Sequence, residues 1–275
     1  MKIYSFYNIL NFLTKSIKNI VYIFINFIMI FLYILSFANA LLYKPIFISG
    51  ANSQIGRRVV HKLDNFNIPT RCVIRNYDKS HFLFKNTKHA EFIKGNVLDP
   101  IFLEHIMNGC DMSINLHSSI INSNPTNSHL FLNKFDHPYY VNYMSMNYIL
   151  DSCKTNNINK IIRTTHIATS FKNFNPISLF LDTFYSQNIH WHRKGEFAII
   201  DSNIDYTIIR SKLTNIDSYK NVKIEENGKF NENIDYDNLA NIIIQSAFPE
   251  LDILYNSISI PYNFSNSIIS CAGYN

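Results

Sequence analysis

The chain has 275 residues, with 25 Lys and Arg against 20 Asp and Glu, a net charge of +5 and 47% hydrophobic residues. This length and apolar content suffice for one sizeable core and indicate a single globular domain. The basic residues are scattered along the sequence, so a basic face that binds nucleic acid is not predicted.

The first 42 residues differ in composition from the rest of the chain. No charged residue lies between Lys18 and Lys44, and the stretch from Ile20 to Phe37 is nearly all apolar. Ala38-Asn-Ala40 has the small-x-small pattern of a signal-peptidase site. A cleaved signal peptide explains these features, and an uncleaved anchor is the alternative because about 20 apolar residues can cross a bilayer. Residues 1–42 are therefore interpreted as a signal peptide or membrane anchor.

This leader predicts delivery to the secretory route or association with a membrane through residues 20–42. A plastid-type organelle is a further destination, suggested by the leader together with a composition rich in Asn, Ile and Lys, as in proteins from AT-rich genomes.

A strand, a glycine turn and a helix are predicted directly after the leader. The apolar run Pro45–Ser49 ends at Gly50, and an amphipathic stretch that contains Gly56 follows. In a dinucleotide-binding βαβ unit, such a turn brings a pyrophosphate to the N-terminus of the helix. Ser53 stands where a further glycine normally lets the backbone approach the phosphates, so the motif is degenerate. The turn residues expected to contact a dinucleotide are Gly50, Asn52, Ser53, Gln54, Ile55 and Gly56.

Further strands and helices follow at regular intervals. Strands are predicted at Thr70–Asn76, from Ala90, at Asp111–His117, Ile158–Thr165, Asp205–Arg210 and Tyr255–Ile260, and helices from Pro100, at Tyr140–Asn156 and at Trp191–Ser202. Strands that alternate with helices imply right-handed crossovers and a parallel sheet, whose ligand crevice lies at the carboxyl ends of the strands. The tail after the last of these strands, which includes Cys271, is expected to be irregular.

Five segments in this order resemble the atypical, NmrA-like branch of the short-chain dehydrogenase/reductase superfamily. They are Ser49–Gly56, Cys72–Asn76, Lys94–Pro100, Asn159–Thr165 and Lys194–Arg210, and Asp235–Asn241 resembles a late helix of that family. The resemblance implies an α/β fold for residues 43–275, a doubly wound parallel-sheet Rossmann fold with a small C-terminal lid after an N-terminal hydrophobic leader helix. It also implies that Asn96 and Val97 lie beside the adenine of an NAD(P) cofactor and that Leu116, His117 and Ser118 line its middle.

The residue at the end of the second strand indicates whether NAD or NADP binds. A carboxylate there holds the ribose hydroxyls of NAD, whereas an arginine suits the 2′-phosphate of NADP. This chain offers Arg75 and no acidic residue before Asp78. Because guanidinium pairs with phosphate through two hydrogen bonds, NADP is predicted in preference to NAD. The alternative for Arg75 is a solvated charge at the end of a strand.

The catalytic residues differ from those of better-known superfamily members, which use a Ser and a Tyr four residues before a Lys. Lys194 matches the lysine and Thr165 the serine, but His190 stands in the position of the tyrosine. The resemblance implies Thr165, His190 and Lys194 as catalytic candidates, with Tyr185 as a displaced acid. Imidazole can exchange protons near neutral pH. For Lys194, contact with the nicotinamide ribose and a structural role on the helix stay open, and Glu196 is expected to lie at the helix surface.

Two functions from different classes remain. The first is an NADP-dependent oxidoreductase acting on a small carbonyl or alkene substrate. The second is a non-catalytic dinucleotide-binding redox sensor or assembly factor, which would have a protein partner. No metal site is predicted, because the four cysteines form no C-x-x-C pair or ligand-spaced cluster with histidine and are expected to be buried or partly buried free thiols.

Overall fold

The computed structural model describes residues 18, 21–22, 24–31, 43–77, 82–119, 135–170, 176–214, 221–228, 232–251 and 264–274. The chain divides into two compact units, Met1–Tyr43 and Lys44–Asn275. In the first unit, residues 18, 21–22 and 24–31 are helical and exposed. No helix of the described residues is long and apolar enough to cross a membrane. The proposed cleavage site at Ala38–Ala40 lies outside the described residues, and the role of residues 1–42 stays a prediction.

Strands and helices alternate through the second unit. The strands are β1 (Ile46–Ser49), β2 (Thr70–Ile74), β3 (Ala90–Lys94), β4 (Met112–Asn115), β5 (Lys160–His166), β6 (Asp205–Ser211), β7 (Leu213–Thr214), β8 (Asn221–Glu226), β9 (Ile234–Asp235) and β10 (Ser267–Tyr274). The helices are α1 (Gln54–Asn65), α2 (Pro100–Met107), α3 (Ser145–Thr155), α4 (Pro176–Phe184), α5 (Asn188–Ile200) and α6 (Tyr236–Ala247). A π-helical turn, Tyr139–Met144, leads into α3, and 3₁₀ turns lie at Ile167–Ser170 and Pro249–Leu251.

Eight of these strands form one sheet in the order β3-β2-β1-β4-β5-β6-β10-β8. All neighbours in it are parallel except β8, which runs antiparallel to β10 at the edge. The strand order reverses between β1 and β4, which is the switch point where open α/β sheets bind ligands. The predicted doubly wound parallel sheet is confirmed.

The C-terminal tail corrects the sequence analysis. Residues 267–274 form β10, an inner strand of the sheet, and Cys271 is 1% exposed. The expectation of an irregular tail was wrong because this strand contains Ser, Ala and Gly among its apolar residues, so its pattern does not stand out from a loop. The strand predicted at Tyr255–Ile260 lies outside the described residues.

The core explains why the helices form where they do. Apolar residues of α2, α3 and α5 pack on one face of the sheet, in a buried cluster that includes Phe47, Met146 and Ile208. α1 and α6 pack against each other outside that cluster. The four cysteines are buried free thiols, as expected. Because these two helical layers cover the faces of the sheet, the polar residues lie at the carboxyl ends of β1–β5, along one edge of the sheet.

Candidate functional site

The turn between β1 and α1 requires glycine at two positions. Gly50 has φ +80°, and a Cβ there would lie 2.5 Å from the backbone nitrogen of His117. A Cβ on Gly56 would lie 2.2 Å from the carbonyl oxygen of Gly50. In both cases the Cβ would clash with backbone atoms, which cannot move aside. Glycine at these two positions therefore allows α1 to pack close to β1 and the turn to lie close to the end of β4.

The N-terminus of α1 fits an anionic group. Ser53 caps the helix, because its Oγ accepts a hydrogen bond of 3.0 Å from the Gly56 N–H. Within the described residues, the N–H groups of Gln54 and Ile55 have no backbone acceptor, and the first turn has no acidic side chain. Free N–H groups and the helix dipole together favour a phosphate at this end, so the residues present fit the pyrophosphate of a dinucleotide.

The other predicted cofactor residues follow the neighbouring strands. Arg75 is exposed directly after β2. After β3, the Asn96 Oδ1 accepts a hydrogen bond of 3.1 Å from the Leu98 N–H, and half-buried Val97 packs on the core. After β4, Leu116 is buried, His117 is partly exposed and Ser118 is exposed. Because these strands are parallel, all of these positions lie at one edge of the sheet. Around the turn, Asn52 and Ser53 are partly exposed, Gln54 is exposed, and the Ile55 side chain is buried.

A network of hydrogen bonds lies beneath the glycine turn, with His117 at its centre. Nδ1 of His117 is 2.6 Å from Ser49 Oγ, which itself donates to Asn115 Oδ1 at 2.9 Å. Nε2 of His117 is 3.1 Å from Nη1 of Arg163 and 2.8 Å from Ser145 Oγ. Since a guanidinium can only donate, Nε2 accepts and the ring proton is assigned to Nδ1.

This ring is held neutral. Burial lowers the pKa of His117 well below its usual value, and the charge of Arg163 lowers it further. Arg75 also lowers the pKa of His117 through its charge, which connects the end of β2 electrostatically with the end of β4. The predicted position of His117 along the middle of a cofactor therefore has a neutral imidazole that donates through Nδ1.

Arg163 is the largest fully buried side chain of the sheet and is 1% exposed. Nη1 donates to His117 Nε2 and to the Met146 sulfur, at 3.1 Å and 2.9 Å. Nη2 is buried without a hydrogen-bond partner. Burial lowers the pKa of Arg163 to about 10, which still leaves the guanidinium charged at neutral pH.

Glu196 corrects the sequence analysis, because it lies in the protein interior and is 1% exposed. Its carboxylate accepts hydrogen bonds from Arg210 at 2.6 Å and 3.2 Å, from Thr165 Oγ at 2.6 Å and from Thr169 Oγ at 2.9 Å. The side chain of Arg210 is 11% exposed. The expectation of a surface position was wrong because the sequence does not show which face of α5 meets the sheet.

The three catalytic candidates differ in their surroundings. Thr165 is 6% exposed and donates its hydroxyl to Glu196. His190 and Lys194 are exposed side chains one turn apart on α5. Burial and the charge of Lys194 lower the pKa of His190, while Asp182 raises it. Tyr185, the displaced acid of the sequence analysis, is partly exposed just before α5.

His192 lies on the other side of α5 and is 3% exposed. Its Nε2 is 3.0 Å from Ser118 Oγ, and its Nδ1 is buried without a partner. Burial lowers the pKa of His192 well below the usual value, and Arg163 lowers it further. Its two-residue spacing from His190 places the two rings on different faces, as expected for a helix.

The sequence analysis assigned no role to Arg163 or to His192. One signal was available for Arg163, namely a charged residue in the middle of a strand predicted to be buried on both faces. No comparable signal marked His192. Among the described residues, no group of His, Cys, Asp and Glu is placed to hold a metal ion.

Comparison with known proteins adds similarities in sequence and in fold. A family described as NAD(P)H-binding matches residues 50–249. An uncharacterized chloroplastic protein of Arabidopsis thaliana is 24% identical over 221 residues, which cover 77% of this chain and 75% of that protein. The chloroplastic Protein TIC 62 of Arabidopsis thaliana is 24% identical over 173 residues, which cover 60% of this chain but 26% of that protein.

Solved structures share the fold. A short-chain dehydrogenase/reductase from Veillonella parvula in complex with NADP superposes with a TM-score of 0.60 at 18% identity, covering 84% of this chain and 95% of that one. The anaerobilin reductase ChuY from Escherichia coli O157:H7 superposes with a TM-score of 0.60 at 14% identity, covering 84% of this chain and 98% of that one.

Proposed function

The chain belongs to the NAD(P)H-binding family of Rossmann-fold proteins, and from this premise we propose that it binds NADP(H) across the carboxyl ends of β1–β4 and acts as an oxidoreductase on a small carbonyl or alkene. The observation that carries the binding proposal is the pair of glycines at the turn. With Gly56 packed against the Gly50 carbonyl and the Gln54 and Ile55 N–H groups left without backbone acceptors, the helix N-terminus is built to receive a phosphate.

The preference for NADP rests on Arg75. Its exposed guanidinium follows β2, at the position where the fold reads the ribose of the adenosine half. Arg75 forms no hydrogen bond or ion pair with the described residues, so its guanidinium is available to a ligand. A 2′-phosphate offers such a side chain two charge-assisted hydrogen bonds, which the 2′-hydroxyl of NAD does not.

A bound nicotinamide would supply a hydride. In the oxidoreductase proposal, His190 and Lys194 would transfer the proton that balances it, because both side chains are exposed on one face of α5. Burial lowers the pKa of His190, so its ring is neutral at neutral pH and would relay a proton rather than store one. Thr165 would have to release Glu196 before its hydroxyl could contact a substrate.

The engaged hydroxyl of Thr165 favours a second candidate function. A protein that binds the dinucleotide without turnover, as a redox sensor or an assembly factor with a protein partner, needs the cofactor site but no free hydroxyl at the end of β5. In this alternative, Thr165 and Glu196 are structural and the exposed side chains of α5 are available to a partner.

We further propose that the leader directs the chain to a plastid-type organelle. Two chloroplastic relatives and the apolar, nearly charge-free leader support this destination. The full chain fused at its C-terminus to a fluorescent protein should co-localise with a plastid marker, and a fusion that lacks residues 1–42 should not. Secretion of the full-length fusion would contradict the proposal.

Two measurements on the purified full chain test the binding and the reaction. Mass spectrometry of the nucleotide retained after purification, followed by titration with NADPH, should identify NADP(H). A single-turnover assay with aldehydes, quinones and enones should show NADPH oxidation that Lys194→Ala removes. Tight binding without oxidation by any acceptor would favour the non-catalytic function, and absence of dinucleotide binding would overturn both.

A further inference from the structure

We propose that Arg163 makes this site select the reduced dinucleotide, so that the protein binds NADPH more tightly than NADP⁺. The proposal rests on the proposed binding of a dinucleotide and adds a sensitivity to its redox state. The physical difference between the two forms is one charge, because the oxidised nicotinamide ring is a cation and the reduced ring is neutral.

The position of Arg163 relates it to the nicotinamide half of the site. In this fold a dinucleotide crosses the sheet at the switch point, with its adenosine half over β1–β3 and its other half over β4–β6. Arg163 lies on β5, in the second of these halves. Its Nη1 donates to His117, the second residue after β4, at 3.1 Å. The guanidinium therefore lies under the half of the site that takes the ring whose charge changes.

The charge of Arg163 is not neutralised locally. Nη2 has no partner, and no carboxylate forms an ion pair with this guanidinium among the described residues. Glu196 is the acid whose charge acts on it, but both oxygens of that carboxylate accept from Arg210. This buried centre thus contains two guanidinium groups and one carboxylate, which leaves an excess of one positive charge.

The groups around the guanidinium do not add a compensating negative charge. His117 and His192 are neutral, since burial and Arg163 lower both pKa values. Besides Glu196, the charged residues of α5 are the cations Arg193 and Lys194. Asp182 of α4 bonds to the His190 N–H at 2.9 Å, at the start of α5. In the segments that follow β4 and β5, residues 120–134 and 171–175 contain no Asp or Glu in their sequence, and the charge of Asp136 acts on His137 rather than on Arg163, His117 or His192.

Electrostatics sets the expected size of the effect. In partly buried surroundings with an effective dielectric constant near 20, two unit charges about 10 Å apart repel enough to change an equilibrium constant roughly tenfold. Direct contact between the ring and the guanidinium is not required. Full burial of Arg163 strengthens its repulsion of the oxidised ring, because water and salt screen a buried charge less than a surface charge.

The proposal is tested by calorimetric titration of the full chain with NADPH and with NADP⁺. The titrations are run at pH 8, where the histidines are neutral. The wild type should bind NADPH about tenfold more tightly than NADP⁺. Arg163→Met, which removes the charge and keeps most of the volume, should bring the ratio of the two dissociation constants close to one. Arg163→Lys should retain a ratio well above one. Arg75→Ala is the matched control and should weaken both forms equally, since both carry the 2′-phosphate.

The outcomes separate this inference from the binding proposal. A wild-type ratio near one, or an unchanged ratio in a folded Arg163→Met variant, overturns the redox selectivity while leaving the binding proposal intact. Absence of binding to either form overturns both. If Arg163→Met does not fold, Arg163→Gln replaces it, and the wild-type ratio alone can still refute the proposal.

Discussion

Arg75 and Arg163 are cations with opposite surroundings, the first exposed after β2 and the second buried within β5. An exposed cation is free to meet a ligand, so Arg75→Ala should weaken NADPH by about 1.5–3 kcal/mol, the typical value of a charge-assisted hydrogen bond, and should hardly change NADH. Titration of both nucleotides against both proteins measures the difference. Lys94→Ala, at the exposed end of β3, is the matched control. Equal losses for NADPH and NADH would show that Arg75 does not read the 2′-phosphate.

Glu196 gives a prediction on stability at the same scale. Glu196→Ala leaves the Arg210 guanidinium without its carboxylate in the interior, so unfolding should become easier by about 3–5 kcal/mol. Glu91→Ala is the matched control, because it breaks the exposed Arg71–Glu91 pair of 3.1 Å and should cost less than about 1 kcal/mol. Urea denaturation followed by circular dichroism measures both. Similar losses in the two variants would contradict the structural role of Glu196.

At the scale of elements, the contact between β1 and α1 depends on Gly56. Gly56→Ala puts a Cβ 2.2 Å from the Gly50 carbonyl oxygen, so the helix must move away from the strand. We expect a loss of stability of about 1–3 kcal/mol from overpacking and a loss of NADPH binding of tenfold or more. Gly109→Ala is the control, since the φ of +75° at Gly109 strains an alanine there, but no atom beyond its chain neighbours lies within 4 Å of its Cβ position. This variant should lose stability and retain binding.

The last strand gives a second prediction at this scale. β10 pairs with β6 on one side and with β8 on the other, so its removal leaves β8 without a partner in the sheet, exposes one side of β6, which still pairs with β5, and uncovers buried residues. A chain that ends at residue 263 should therefore lose its cooperative thermal transition, whereas a chain that lacks only Asn275 should keep it. Circular dichroism melts of the two chains measure this. A cooperative transition in the shorter chain would show that β10 is dispensable.

For the whole molecule, buried histidines predict how stability changes with pH. The folded state lowers the pKa of His117 and His192, so between the folded and the unfolded pKa values the unfolded chain binds more protons. The free energy of unfolding should be highest above about pH 6.5 and fall below it, with a slope of up to about 1.4 kcal/mol per pH unit for each histidine. Urea melts from pH 8 to pH 5 measure the slope. His192→Leu should reduce it, and replacement of the exposed His105 by Gln should not.

Much of the fold could be predicted from the sequence because its signals are local. The alternation of apolar strands and amphipathic helices predicted β1–β6 in order, and glycine spacing located the turn at Gly50 and Gly56. The parallel order of the strands then placed the predicted cofactor residues after β2, β3 and β4 at one edge of the sheet. β10 escaped prediction because its small and polar residues lack a clear period.

The sequence by itself determined the fold class and the edge of the sheet where a dinucleotide is expected. Both follow from local signals, because the order of the strands and the glycine turn can be recognised in short segments of the chain. Only the tertiary structure decided which charges are buried. Glu196 and Arg210 are 14 positions apart, and Arg163 meets His117 across 46 positions. Helix orientation and strand register bring such groups together, and both depend on how the whole core packs, which no single segment encodes. The environment of Arg163, from which the redox preference is inferred, is therefore a property of the assembled sheet and its helices.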